Sequence, residues 1–167
     1  MIRLKTESEN IMRENNCCFT GHRELYESEN IIYQRVLDSV KRLMEKGVKT
    51  FICGGAIGFD LLCGEVIANL RKEGEKINLV MALPCKGQDK YFSPKDKERY
   101  KALLESADKV IYVSEGYFRG CMHKRNRFMA DNSAYLISYV VKNSGGSFYT
   151  KSYAEKNGLE IINVAQG

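Results

Sequence analysis

Four short stretches of this chain hold residue types that could do chemistry. Thr20-Gly21-His22-Arg23 sets a hydroxyl, an imidazole and a guanidinium around a glycine. Gly54-Gly55-Ala56-Ile57-Gly58-Phe59-Asp60 places three glycines ahead of a carboxylate, and Arg125-Asn126-Arg127 joins two forked cations to an amide. Gly145-Gly146-Ser147-Phe148-Tyr149-Thr150 repeats the paired glycines with two hydroxyls after them. Glycines let backbone N–H groups approach an anion closely, and a helix that opens after them adds unpaired N–H groups and a partial positive charge. An arginine can grip a phosphate through two parallel hydrogen bonds. The chemistry these types suit is therefore the holding of a phosphate-bearing ligand.

Each stretch also has a plainer reading. Gly-Gly-x-x-Gly is neither the G-x-G-x-x-G dinucleotide fingerprint nor a P-loop, and on its own it also describes a tight strand-to-helix turn. Asp60 could be a cap or dipole partner in the first turn of a helix, or could accept hydrogen bonds from a ribose. His22 could be structural or touch a ligand. The Gly145-Gly146 stretch could be a plain loop with an N-cap, or its hydroxyls and N–H groups could hold a second phosphate or a ribose. Arg119, Lys124, Arg125 and Arg127 lie in a stretch without an acid, which could focus positive potential on an anion or be a solvated basic face.

Composition narrows the field. Hydrophobic residues make up 44% and charged residues 28% of the 167, with a formal net charge of +5, so the chain reads as globular and not as a lysine-rich coat for nucleic acid. No apolar run approaches the ~20 residues of a membrane span, and the opening residues lack an apolar signal core, so a cytoplasmic location is expected. The six cysteines form no Cys-x-x-Cys pair and four sit in or beside apolar runs. They are expected to be reduced core thiols without metal.

The elements that must position these residues follow from the pattern. Six apolar runs, at 16–20, 50–53, 77–83, 109–114, 134–141 and 159–164, are mostly continuous instead of alternating, as in strands covered on both faces. Between them Ile32, Val36, Val40 and Leu43 fall on one helical face, as do Phe59, Leu62, Val66 and Leu70, and then Tyr100, Leu103, Leu104 and Ala107. Shorter helices are expected over 122–131 and 149–156. Strict alternation of strand and helix specifies an α/β, doubly wound, mostly parallel open sheet of about six strands with helices on both faces. In such a sheet ligands bind at the carboxyl ends of the strands, where all four stretches fall. Residues 1–14 read as a polar leader and 15–167 as one domain.

Taken in order, Cys18-Phe19-Thr20-Gly21-His22-Arg23, the Gly54-to-Asp60 stretch, Pro84-Cys85, Arg125-Asn126-Arg127-Phe128-Met129 and Gly145-Gly146-Ser147 resemble the YpsA-like family. That family belongs to the SLOG superfamily of Rossmann-like domains, with the DNA-processing protein DprA and the cytokinin-activating LOG enzymes. The likeness runs from residue 16 to the end. It implies binding or sensing of a nucleotide-derived ligand such as ADP-ribose, NAD or a nucleotide; no cofactor is expected to be required. Carried over by position, the expected pocket is Thr20, Gly21, His22, Arg23, Gly54, Gly55, Ala56, Gly58, Asp60, Arg125, Asn126, Gly145, Gly146, Ser147 and Thr150.

Two further readings stay open. A nucleotide N-glycosidase or phosphoribohydrolase would use Asp60 or Glu115 as acid or base, but the LOG motif places a Glu three residues after its Thr, and here Tyr153 stands three residues after Thr150. Single-strand DNA binding of the DprA kind would need a basic groove with stacking aromatics. Tyr91, Phe92, Tyr117 and Phe118 could make a base-stacking wall or an interface between copies of the chain.

Overall fold

The computed structural model describes residues 13–166. Most of the expected leader, residues 1–12, lies outside that range. A 3-10 turn at Arg13–Asn15 leads into the first strand, with Arg13 Nε donating to the Ser133 carbonyl at 2.8 Å.

Six strands follow: β1 (Asn16–Gly21), β2 (Thr50–Cys53), β3 (Asn78–Leu83), β4 (Lys109–Tyr112), β5 (Tyr135–Tyr139) and β6 (Glu160–Asn163). Five helices alternate with them: α1 (Glu29–Glu45), α2 (Phe59–Lys72), α3 (Pro94–Ser106), α4 (Cys121–Asp131) and α5 (Gly146–Lys156). All pairings are parallel, in the order β4-β3-β2-β1-β5-β6. The doubly wound α/β architecture expected from the alternation is the one observed.

The pleat sorts the strand residues into two cores. Cys17, Phe19, Phe51, Cys53, Leu79, Met81, Ile137 and Tyr139 point to the side covered by α1, α2 and α3, with Ile32, Val36, Val66 and Leu103 among the helix residues they meet. Cys18, Ile52, Ala82 and Leu136 point to the other side, under Met129 and Ala130 of α4 and Ala154 of α5. Two-sided burial is why the strands read as continuous apolar runs. Helix starts follow local chemistry: Ser93 caps α3 by accepting the Asp96 N–H at 3.2 Å, with Pro94 at the first helical position. α5 begins at Gly146, three residues ahead of the expected 149.

Successive strands run outward from β1 as far as β4, and the chain then returns to place β5 on the free side of β1. The loops after β1 and β5 therefore leave in opposite senses, opening a crevice at the carboxyl end of the sheet. Among the described residues no helix is long and apolar enough to cross a membrane.

Candidate functional site

A crevice of about 390 Å³ lies at that divergence, lined by residues that include Thr20, Gly21, His22, Arg23, Ala56, Asp60, Arg125, Asn126, Gly146 and Ser147. Ten of the expected pocket residues meet here. Gly54, Gly55, Gly58, Gly145 and Thr150 are not among those that line it, nor is Glu115, which is exposed in the loop between β4 and α4.

The glycines divide into two kinds. A Cβ on Gly54 would sit 2.9 Å from both the Arg125 guanidinium and Asp60 Oδ2, and one on Gly55 would sit 3.0 Å from the Tyr100 ring. Gly58, at φ +79°, would drive a Cβ to 2.2 Å from the Arg23 carbonyl oxygen. The space these glycines leave is filled by the protein's own groups, which corrects the expectation that the Gly54-Gly55 turn keeps room for a ligand. Gly145 and Gly146 differ: nothing lies within 4 Å of where a Cβ would stand. There the α5 N-terminus has open space where a side chain would stand, and its first-turn N–H groups have no acceptor within their own helix.

Arg125 belongs to the expected pocket, where its guanidinium would grip a phosphate. Its side chain is instead buried, 3% exposed, and Nη1 donates to the carbonyls of Gly54 and Ala82 and to Gln88 Oε1. Nε donates to Asn126 Oδ1 at 2.9 Å. Gln88 Nε2 donates to the same Gly54 carbonyl at 3.2 Å, so the turn after β2 is held from two elements. Burial lowers the Arg125 pKa, and the Asp60 carboxylate opposes the shift. Burial likewise raises Asp60 from the ordinary aspartate value to about 6, against the pull of Arg125 and the Ala56 N–H, which Oδ2 accepts at 3.3 Å.

His22 is also committed. Its Nε2 accepts the Val141 N–H at 2.9 Å, which extends the β1–β5 pairing past the strand ends, and burial together with Lys142 lowers its pKa. The Thr150 hydroxyl donates to the Gly146 carbonyl at 2.9 Å, within its own helix. Arg23 stands apart: it is exposed at the crevice, and its guanidinium has no hydrogen bond or ion pair with another described residue.

Met122 and His123 also line the crevice and were missed. Their signal was spacing, since 122 and 123 lie one helical turn before Asn126 and share its face. Beyond Arg23, Ala56 and Met122, which border both, a second recess of about 720 Å³ opens between the 84–92 loop and Tyr117.

An all-parallel doubly wound sheet with a crevice at the strand-order reversal defines a Rossmann-like α/β domain. The profile of the YspA SLOG family matches residues 17–163, and this chain belongs to that family. The SPbeta prophage-derived protein YoqJ of Bacillus subtilis (strain 168) is 32% identical over 138 residues, which cover 75% of this chain and 81% of YoqJ. In fold the chain is similar to DNA processing protein A of Helicobacter pylori, described for its single-stranded DNA binding mode, with a TM-score of 0.65 at 16% identity over 97% of this chain and 70% of that one. It is similar in the same way to DNA processing protein A of Streptococcus pneumoniae, with a TM-score of 0.65 at 14% identity over 95% of this chain. The chain spans only 53% of that protein.

Proposed function

We propose that the protein binds or senses a nucleotide-derived ligand, of the free-nucleotide, ADP-ribose or NAD type, with a phosphate at the Gly145-Gly146 turn and the sugar over the Thr20-to-Arg23 loop. The observation that carries this reading is the open N-terminus of α5, which borders a crevice at the sheet's reversal point with the exposed Arg23 in its wall, its guanidinium without a hydrogen bond or ion pair among the described residues. Backbone N–H groups, a helix dipole and an exposed guanidinium are what a phosphate needs. The six buried, unpaired cysteines suit a reducing compartment such as the cytosol.

The test is a thermal-shift screen of nucleotides, ADP-ribose and NAD, followed by calorimetric titration of the best binder into wild type and Gly146→Asp. A ligand at 100 times its dissociation constant adds about 2.7 kcal/mol, so binders stand out. A carboxylate at position 146 stands in open space in the first turn of a helix, where an acid favours the fold by about 0.3–1 kcal/mol. The variant is therefore expected to melt no lower than wild type while losing at least about tenfold in affinity, a difference of about 1.4 kcal/mol. Unchanged affinity in this folded variant overturns the phosphate assignment.

The reading is of binding without turnover, because Asp60 is buried and already engaged by Ala56 and the LOG-type Glu is absent. Incubation with nucleoside monophosphates and NAD is expected to release no base above the buffer blank. Sustained release at about 1 per second, ordinary for an enzyme, would make this a hydrolase. The likeness to two DNA-processing proteins favours single-stranded DNA as the second reading, and a short oligothymidylate belongs in the same titrations.

A further inference from the structure

Single exposed tyrosines are ordinary on protein surfaces. Here the two most exposed large hydrophobic side chains among the described residues, Tyr91 at 88% and Tyr117 at 78%, come from different loops and line the same 720 Å³ recess. Tyr91 ends the 3-10 turn Gln88–Tyr91, and Tyr117 lies in the loop between β4 and α4. Ile57 and Met122 add apolar lining, and Lys90 adds positive charge, its Nζ 5.4 Å from the Tyr91 ring centroid. A flat, weakly polar ring carrying a nearby negative charge fits such a recess better than an aliphatic chain would. Tyrosine faces stack on it, and the cations meet the charge.

We infer that this recess is the base subsite of the same crevice: Tyr91 and Tyr117 stack on a nucleobase, and the attached phosphate chain passes Arg23 toward the α5 N-terminus. The inference rests on the phosphate reading above for the far end of the ligand. Arg23, Ala56 and Met122 line both recesses, so one molecule occupying both crosses the border they form, where Arg23 is the charged group. The ligand class is then a base-bearing phosphate ester, and sugar phosphates or inorganic phosphates alone are poor ligands. The base can belong to a free nucleotide or to a strand.

The experiment titrates adenosine, ADP, inorganic pyrophosphate and a short oligothymidylate into wild type, Y91A/Y117A and Y91F/Y117F. The chain has no tryptophan and ten tyrosines, so the part of the emission quenched in wild type but not in Y91F/Y117F reports stacking on these two. ADP is expected to bind wild type about tenfold or more tightly than pyrophosphate, in line with the worth of one stacked base, and to quench tyrosine emission. Y91A/Y117A should lose that advantage while binding pyrophosphate as wild type does, and Y91F/Y117F should keep it. Pyrophosphate binding as tight as ADP, without quenching, overturns the base subsite and leaves the phosphate reading standing. Adenosine binding with no response to pyrophosphate does the reverse, and no binding by any probe overturns both. A change of oligomeric state in Y91A/Y117A with base affinity intact makes the tyrosines an interface and also overturns the subsite. Within a positive result, oligothymidylate tighter than ADP assigns the base to a strand, and weaker assigns it to a free nucleotide.

Discussion

Arg125 and Asp60 carry the charge nearest the crevice floor, and both are spent on the fold. A buried guanidinium must have its N–H groups accepted, and the carbonyls of Gly54 and Ala82 do this for Nη1. The resulting cation opposes the rise that burial imposes on the Asp60 pKa, and both side chains fill the place where a Gly54 side chain would stand. A pH dependence follows. Asp60 ionises near 6 in the folded chain, above the 3.8 of an ordinary aspartate, so the folded state binds the proton more tightly than the unfolded one. Its contribution to stability is complete below the unfolded value and is lost as pH rises through the folded one. Relative to Asp60→Asn, whose amide oxygen can still accept the Ala56 N–H, wild type is expected to lose up to about 3 kcal/mol between about pH 4 and pH 7, the equivalent of a shift of about two pH units. Urea unfolding of both proteins across that range checks the sign, and parallel stability curves would show that Asp60 is not held protonated by burial.

The connecting turns show how far the sequence could be read. That the Gly54-to-Asp60 stretch joins a strand to a helix was legible from the apolar run before it and the Phe59, Leu62, Val66, Leu70 face after it. What the glycines make room for was not. A glycine reports that space is needed, while the groups that fill it here come from Arg125, 71 residues away, and from Arg23 and Tyr100. The same limit hid the role of Thr150, whose hydroxyl is indistinguishable in sequence from a ligand donor until its helix is found to begin at Gly146. The two kinds of glycine predict opposite responses to the same substitution. Gly58→Ala combines an unfavourable positive φ with a 2.2 Å approach to backbone, and should destabilise by about 2 kcal/mol or more. Gly146→Ala adds a methyl group to open space at a helix start and should be neutral or stabilising by up to about 1 kcal/mol. Thermal melts of the two variants decide it, and equal losses would mean that the α5 N-terminus is as closely packed as the β2 turn.

At the scale of the molecule the sheet divides two unequal layers. The α1–α3 side is built from Phe19, Phe51, Phe59, Leu61, Ile67, Leu79 and Tyr139, whereas the α4–α5 side rests largely on Cys18, Ile52, Ala82, Met129, Ala130, Leu136 and Ala154. Burial of apolar area contributes about 25 cal/mol per Å², so the layer with smaller side chains is held less tightly to the sheet. Its strands were readable as apolar runs and its helices as short segments between them, the second read three residues late, but the inequality of the layers was not, because it depends on which alternate residue of each strand faces which way. Segments with less buried apolar contact open locally at lower free energy than the global unfolding reaction. α4 and α5 also carry Asn126, Gly146 and Ser147, which border the crevice. Native-state hydrogen exchange is therefore expected to find the amides of α4 and α5 exchanging through openings of lower free energy than those of α2 and β1. A ligand bridging the α5 N-terminus and the β1 loop binds only the closed form. Saturating ADP-ribose, or whichever nucleotide binds best in the screen, should therefore raise protection in α4 and α5 first, by about 2.7 kcal/mol at 100 times its dissociation constant as long as exchange there remains local. Amides of α4 and α5 as slow as those of α2 in the free protein would refute the unequal layers. Protection gained in α2 but not in α5 would move the ligand to the other side of the sheet.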